Sequence, residues 1–237
     1  SFLQRSGWAD KAKQEGFIAV AASGLPRDPE ASPDFLLNPR IWNSGRLLFS
    51  GPRTAVDDTR FVLDMLSDIQ LRSQVDAKRI YLLGHSNGAT FVAKLAVTFP
   101  QHWAAIGLVQ GPTVATLSRL ARRVPTCAVF GEEDPILPMG GGPTQTPWGM
   151  RDTPPLAEML SNWAQTLGYS TKAEVTVEDE NRRQENYGPD FQVIYLKGHG
   201  HNYPSPEQPV VDPRFGPVKT EVPVTEAIWD FFKARTL

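Results

Sequence analysis

Arg79-Ile80-Tyr81-Leu82-Leu83-Gly84-His85-Ser86-Asn87-Gly88-Ala89 reads as a short apolar strand, a sharp turn and the start of a helix. The turn carries the pattern Gly-x-Ser-x-Gly. A serine at such a corner is pushed out beyond the end of the strand, and glycines two residues to either side remove side chains that would collide in the turn. The peptide N–H of Asn87 then points to where the oxyanion of a tetrahedral intermediate would form. The pattern is short, and its weight comes from the strand-turn-helix setting, which marks Ser86 as a candidate nucleophile.

Outward from this corner, short apolar or β-branched runs alternate with longer helical patterns. That order builds a mostly parallel sheet covered by helices on both faces, so the class is α/β. Strands are expected over residues 17–22, 79–83, 104–109, 126–130 and 191–196. Helices are expected over 3–15, 55–72, 88–99, 155–167 and 225–235. Asp57 and Asp58 suit the positive end of the second helix. Residues 23–53, with Trp42, and 138–153, with Gly140 to Gly142 and Trp148, read as long loops that wall a pocket or form surface insertions. The charged piece 178–185 reads as solvated surface.

The chain of 237 residues, 21% charged and 41% apolar, suits one domain with a large core, so 1–237 is taken as a single α/β unit. A net charge of −2 without a basic block gives no footprint for nucleic acid. No apolar run approaches the ~20 residues needed to span a bilayer. The single cysteine, Cys127, excludes an intrachain disulfide. The first residues have neither a basic nor an apolar signal region.

A serine nucleophile needs a histidine base, and the base needs an orienting carboxylate. In this architecture the order is serine, acid, histidine. His85 abuts the serine, and His102 comes too early. His199 and His201 follow the last strand, and order alone does not separate them. For the acid, Glu132, Glu133 and Asp134 all follow strand 126–130; Asp134, restrained by Pro135, is preferred. His199-x-His201 alone is a weak metal signal, and Gly140 to Gly142 lacks the Lys-Ser/Thr of a phosphate loop, so neither metal nor cofactor is expected.

Several blocks recur in order: Ala55-Val56-Asp57-Asp58-Thr59-Arg60-Phe61, Val75-Asp76-Ala77-Lys78-Arg79-Ile80-Tyr81, Gly84 to Ala89, Phe130 to Pro138, Lys197 to Pro204 and the closing Val224 to Phe232. Together they resemble the polyhydroxybutyrate-depolymerase and feruloyl-esterase-like family of α/β-hydrolases. The resemblance implies an α/β-hydrolase fold and a serine esterase acting on hydroxyalkanoate, feruloyl or other aryl esters. It places the nucleophile on Ser86, the acid on Asp134 and the base on His201, with the Asn87 N–H as oxyanion donor. His199 stands where the family has glycine, and Tyr203 where it has tryptophan. His85, Trp42, Trp148, His199 and Tyr203 are expected to touch substrate. The resemblance also favours a secreted, periplasmic or envelope-attached location. It further implies that N-terminal strands and a second oxyanion donor lie upstream of residue 1, leaving either a gap between strand 17–22 and strand 79–83 or a place there filled by a partner chain. A non-catalytic binding protein of the same fold, and a peptidase or acyltransferase with the same triad, are the competing readings.

Overall fold

The computed structural model describes residues 1–45, 55–111, 122–207 and 212–237. The end of the expected 23–53 loop, residues 46–53, lies outside them. Among the described residues ten strands and six α-helices follow in chain order: α1 (Phe2–Arg5), α2 (Trp8–Glu15), β1 (Leu25–Pro26), β2 (Arg40–Ile41), α3 (Asp58–Arg72), β3 (Tyr81–His85), α4 (Asn87–Thr98), β4 (Ala105–Val109), β5 (Thr126–Gly131), β6 (Gly142–Thr146), β7 (Gly149–Thr153), α5 (Leu156–Leu167), β8 (Glu174–Glu178), β9 (Arg182–Gly188), β10 (Phe191–Leu196) and α6 (Val224–Lys233).

The central sheet has the order β3-β4-β5-β10-β9-β8. Its first four strands run parallel, and β9 and β8 follow antiparallel. β4 and β5 are buried along their whole length, which is why they read in the sequence as continuous apolar runs. Their side chains still alternate between two cores. Ile106, Leu108, Ala128, Phe130, Val193 and Tyr195 pack under α4 and α5. Ala105, Val109, Cys127, Val129, Ile194 and Leu196 face the other way, onto Trp8 of α2 and Ile228 and Phe232 of α6. Helices therefore cover both faces, and each fully buried large side chain contributes roughly 1.5–3 kcal/mol.

Helices start or stop where local chemistry requires. Asp57 caps α3 by accepting from the Arg60 N–H, and α5 closes on Gly168 in the left-handed region. The helix expected over 3–15 is two, because Gly7 takes φ 76° and breaks it.

Other expectations are corrected. Residues 17–22 form no strand. They line a cleft together with residues of β3, and β3 pairs with β4 alone among the described residues. The charged stretch 178–185 lies at the surface as expected, and it is also largely sheet, since it supplies the end of β8 and the start of β9; Asp179 turns the chain by accepting from the Asn181 and Arg182 N–H groups. The two long loops hold structure as well. β1 and β2 pair, Asn38 ties the stretch between them through the carbonyls of Asp28, Ala31 and Ser32, and β6 with β7 makes a hairpin tipped by Trp148.

Parallel pairing has one consequence for function. The C-terminal ends of β3, β4, β5 and β10 all emerge at one edge of the sheet, where open α/β sheets place their ligands.

Candidate active site

Ser86 stands at the junction of β3 and α4 with φ 54° and ψ −121°, a conformation costing about 1–3 kcal/mol for a non-glycine residue. Its N–H donates to the Val109 carbonyl (2.9 Å), and its own carbonyl accepts from the Ala89 and Thr90 N–H groups. Gly84 is required here, because a Cβ at that position would overlap the Gly88 carbonyl. The turn therefore holds its shape against strain, and Ser86 Oγ projects into the cleft.

His201 lies opposite, buried in the loop after β10. Ser86 Oγ is 2.8 Å from His201 Nε2, and His201 Nδ1 is 2.7 Å from Asp134 Oδ2. A carboxylate accepts only, so Nδ1 carries the proton and Nε2 accepts from the serine hydroxyl. The other carboxylate oxygen of Asp134 accepts from the Ile136 and Leu137 N–H groups at 2.7 and 2.8 Å. All three groups sit at the sheet edge named above. Of the competing candidates, Asp134 rather than Glu132 or Glu133, and His201 rather than His199, are the ones brought to Ser86.

His199 is a correction. It is fully buried away from the cleft, with Nδ1 accepting from the Lys219 N–H (2.9 Å) and Nε2–H donating to the Asn202 carbonyl (2.9 Å). Burial lowers its pKa, and the neutral ring clips the base loop to the segment before α6. Tyr203 borders the cleft, and its hydroxyl accepts from Trp8 Nε1 at 2.9 Å and lies 3.1 Å from Thr225 Oγ1. His85 borders the cleft, but its Nε2–H donates to the His201 carbonyl at 2.8 Å. Burial, and then the neighbouring His201, push its pKa down to about 3. The neutral ring thus braces the base loop from a position on the cleft wall.

The expected aromatics do wall the cleft, whose volume is about 1220 Å³. Trp42 stacks on Phe91 with ring centres 5.1 Å apart. Its backbone is held from both sides by the Asn87 side chain, which accepts from Trp42 N–H (2.7 Å) and donates to Trp42 O (3.1 Å). Trp148 packs edge-on to Phe35 and near Phe215, whose ring centre is 5.7 Å from that of His201. Phe35 lies in a loop and Phe215 ends a single 3-10 turn, Pro213–Phe215, neither long enough for periodicity, and no sequence signal marked them. At the first position of α4, the Asn87 N–H is one of the groups a helix leaves without an intrahelical acceptor. Among the described residues no group of three or more His, Cys, Asp or Glu is arranged to hold a metal ion, and no helix is long and apolar enough to cross a membrane.

A parallel sheet wrapped by helices, a strained serine corner after one strand and a histidine-carboxylate pair after two others define an α/β-hydrolase. Known proteins narrow the class. Residues 50–121 match the family described as Esterase PHB depolymerase. NocK of Nocardia uniformis subsp. tsuyamanensis, named as a candidate esterase, is 30% identical over 101 residues, 40% of this chain and 28% of that protein. The bifunctional acetylxylan esterase/xylanase XynS20E of Neocallimastix patriciarum is 24% identical over 155 residues, 61% of this chain and 21% of that protein. The chain thus spans about a quarter of the length of these curated relatives. The acetyl xylan esterase from Aspergillus awamori shares the fold, with a TM-score of 0.52 at 16% identity over 82% of this chain and 76% of that one. The fold is that of the α/β-hydrolases, and within it the chain is similar to esterases of the polyhydroxybutyrate-depolymerase type.

Proposed function

We propose that the protein is a serine carboxylic-ester hydrolase working through an acyl-enzyme, and that hydroxyalkanoate or aryl esters are its substrates. The reading is carried by the line from Ser86 Oγ through His201 to Asp134, with both contacts at 2.7–2.8 Å. Ser86 Oγ attacks the ester carbonyl as its proton passes to His201 Nε2. Asp134 stabilises the imidazolium that forms and keeps the ring in the reactive tautomer. The Asn87 N–H, at the positive end of α4, donates to the oxyanion. Collapse of the intermediate breaks the ester C–O bond, and the alcohol leaves with the proton from His201. Water, deprotonated by the same ring, then attacks the acyl-enzyme and releases the acid.

The apolar walls supplied by Trp42, Trp148 and Phe215 favour medium acyl or aryl groups over charged ones. The relatives' names point to acetyl esters on xylan, which makes acetyl transfer to water the nearest neighbouring activity.

The test is hydrolysis of p-nitrophenyl butyrate by the wild type and by Ser86→Ala, together with labelling by a fluorophosphonate. The substitution is expected to lower kcat by about 10⁴-fold or more and abolish labelling. A binding protein without catalysis would show no turnover in either form, and a peptidase would prefer aminoacyl p-nitroanilides. Retention of the rate in the alanine variant overturns the assignment of Ser86.

A further inference from the structure

The short corner after β4, Val109-Gln110-Gly111, touches every segment that carries a candidate catalytic side chain. The Val109 carbonyl accepts the Ser86 N–H, and a Cβ on Gly111 would overlap the Ser86 carbonyl, so the serine turn rests directly on this corner. Between them Gln110 is wholly buried, with no solvent exposure, and it holds φ 51°. Ser86 is the only other non-glycine residue at positive φ among the described residues. Such a backbone persists in a bulky residue only where its surroundings over-determine it.

The side chain of Gln110 accounts for that. Its Oε1 accepts from the Gly131 N–H at 2.9 Å, and its Nε2 donates to the Gly200 carbonyl at 2.6 Å. Gly131 ends β5, three residues before Asp134; Gly200 immediately precedes His201. These two loops lie so close that a Cβ on Gly131 would overlap the carbonyls of both His199 and Gly200. They are also joined by the Glu133 N–H donating to the His199 carbonyl (3.0 Å). A single primary amide, donor on one side and acceptor on the other, thus spans the acid loop and the base loop while its backbone seats the nucleophile.

We infer that Gln110 is a positioning residue that sets the spacing between Asp134 and His201 and their common register with Ser86. The inference rests on the triad reading given above. Neither a hydrophobic side chain of the same length nor a shorter amide can replace it: the first leaves the Gly131 N–H and the Gly200 carbonyl buried without partners, and the second does not reach both.

Gln110→Met keeps the volume and removes both hydrogen bonds. Gln110→Asn keeps the amide, tolerates the left-handed backbone and is one methylene too short, so it serves if the methionine variant does not fold. For p-nitrophenyl butyrate, kcat is expected to fall about tenfold to hundredfold with KM within twofold, as displacement by a fraction of an ångström at a catalytic pair requires. The low-field proton resonance of His201 Nδ1–H, recorded without substrate, is expected to shift or broaden beyond detection. A folded variant with the wild-type kcat and an unchanged resonance overturns the inference, as does a loss confined to KM. Should the wild type hydrolyse no ester, the functional reading fails, and the resonance alone still decides whether Gln110 aligns His201 with Asp134.

Discussion

At the scale of single residues, His85 and Ser86 are neighbours with opposite legibility. The Gly-x-Ser-x-Gly spacing exposes the serine in any sequence reading, because the strain of the turn dictates which residues flank it. The work of His85 depends on a carbonyl 116 positions away, which no local pattern encodes. Its pKa near 3 in the folded chain, against an ordinary 6.5, has a definite sign. As pH falls below 6.5 the unfolded chain takes up a proton that the folded chain does not bind until near pH 3. Stability is therefore lost on acidification through that window, by up to about 1.4 kcal/mol per pH unit, and nothing changes above it. His199, also held below its ordinary value by burial, acts in the same direction. Urea unfolding at pH 4.5 and pH 7 checks this. His85→Gln keeps a donor for the His201 carbonyl but does not titrate, so its stability is expected to differ less between the two conditions than that of the wild type. Equal differences would remove His85 from the acid sensitivity of the fold.

Among the elements, the strands buried on both faces were legible, and so was β3, at an edge among the described residues, because the serine corner follows it; the antiparallel edge was not. β4, β5 and β10 announce themselves as predominantly apolar runs because the sheet is covered above and below. β8 and β9 sit at the antiparallel edge, where charged residues such as Glu174, Glu178, Arg183 and Glu185 discourage pairing with other chains and at the same time imitate a solvated loop. The β6–β7 hairpin was hidden for a different reason: Gly142, Pro143 and Gly149 are loop-forming by composition, yet register is fixed by a two-residue turn. That hairpin carries Trp148, whose indole N–H donates to the Phe35 carbonyl at 3.3 Å and whose ring backs Phe215 beside His201. Trp148→Ala opens this wall without unfolding the partly exposed tip. A drop in kcat/KM of about tenfold is expected for p-nitrophenyl butyrate, with a smaller one for the acetate, whose shorter acyl chain leaves less surface to cover. An equal loss on both esters would show that the hairpin does not shape the acyl site.

At the scale of the whole molecule, the candidate site depends on contacts between chain ends that are remote in sequence. Trp8 on α2 stacks against Phe232 of α6 at 6.2 Å and donates to the Tyr203 hydroxyl, 195 positions away. Tyr203 lies two residues beyond His201, so the first long helix braces the base loop from behind. The order serine, acid, histidine was legible because it follows from parallel strands delivering their ends to one edge. This brace was not, because a tyrosine in a loop reads equally well as pocket rim or as core, and only its partner decides. Residues 17–22 show the same limit: an apolar β-branched run meets the strand pattern, but pairing requires a neighbour within hydrogen-bonding reach. Truncating Trp8 tests the brace. Trp8→Ala removes a side chain that is 5% exposed and is expected to destabilise the fold by about 3–5 kcal/mol, measured by urea unfolding. Trp8→Phe, which retains ring packing and loses the N–H, is expected to cost about 1–2 kcal/mol, since Tyr203 keeps Thr225 as a partner. If the alanine variant loses less than about 1 kcal/mol, α2 is an appendage rather than part of the structure that holds His201 in place.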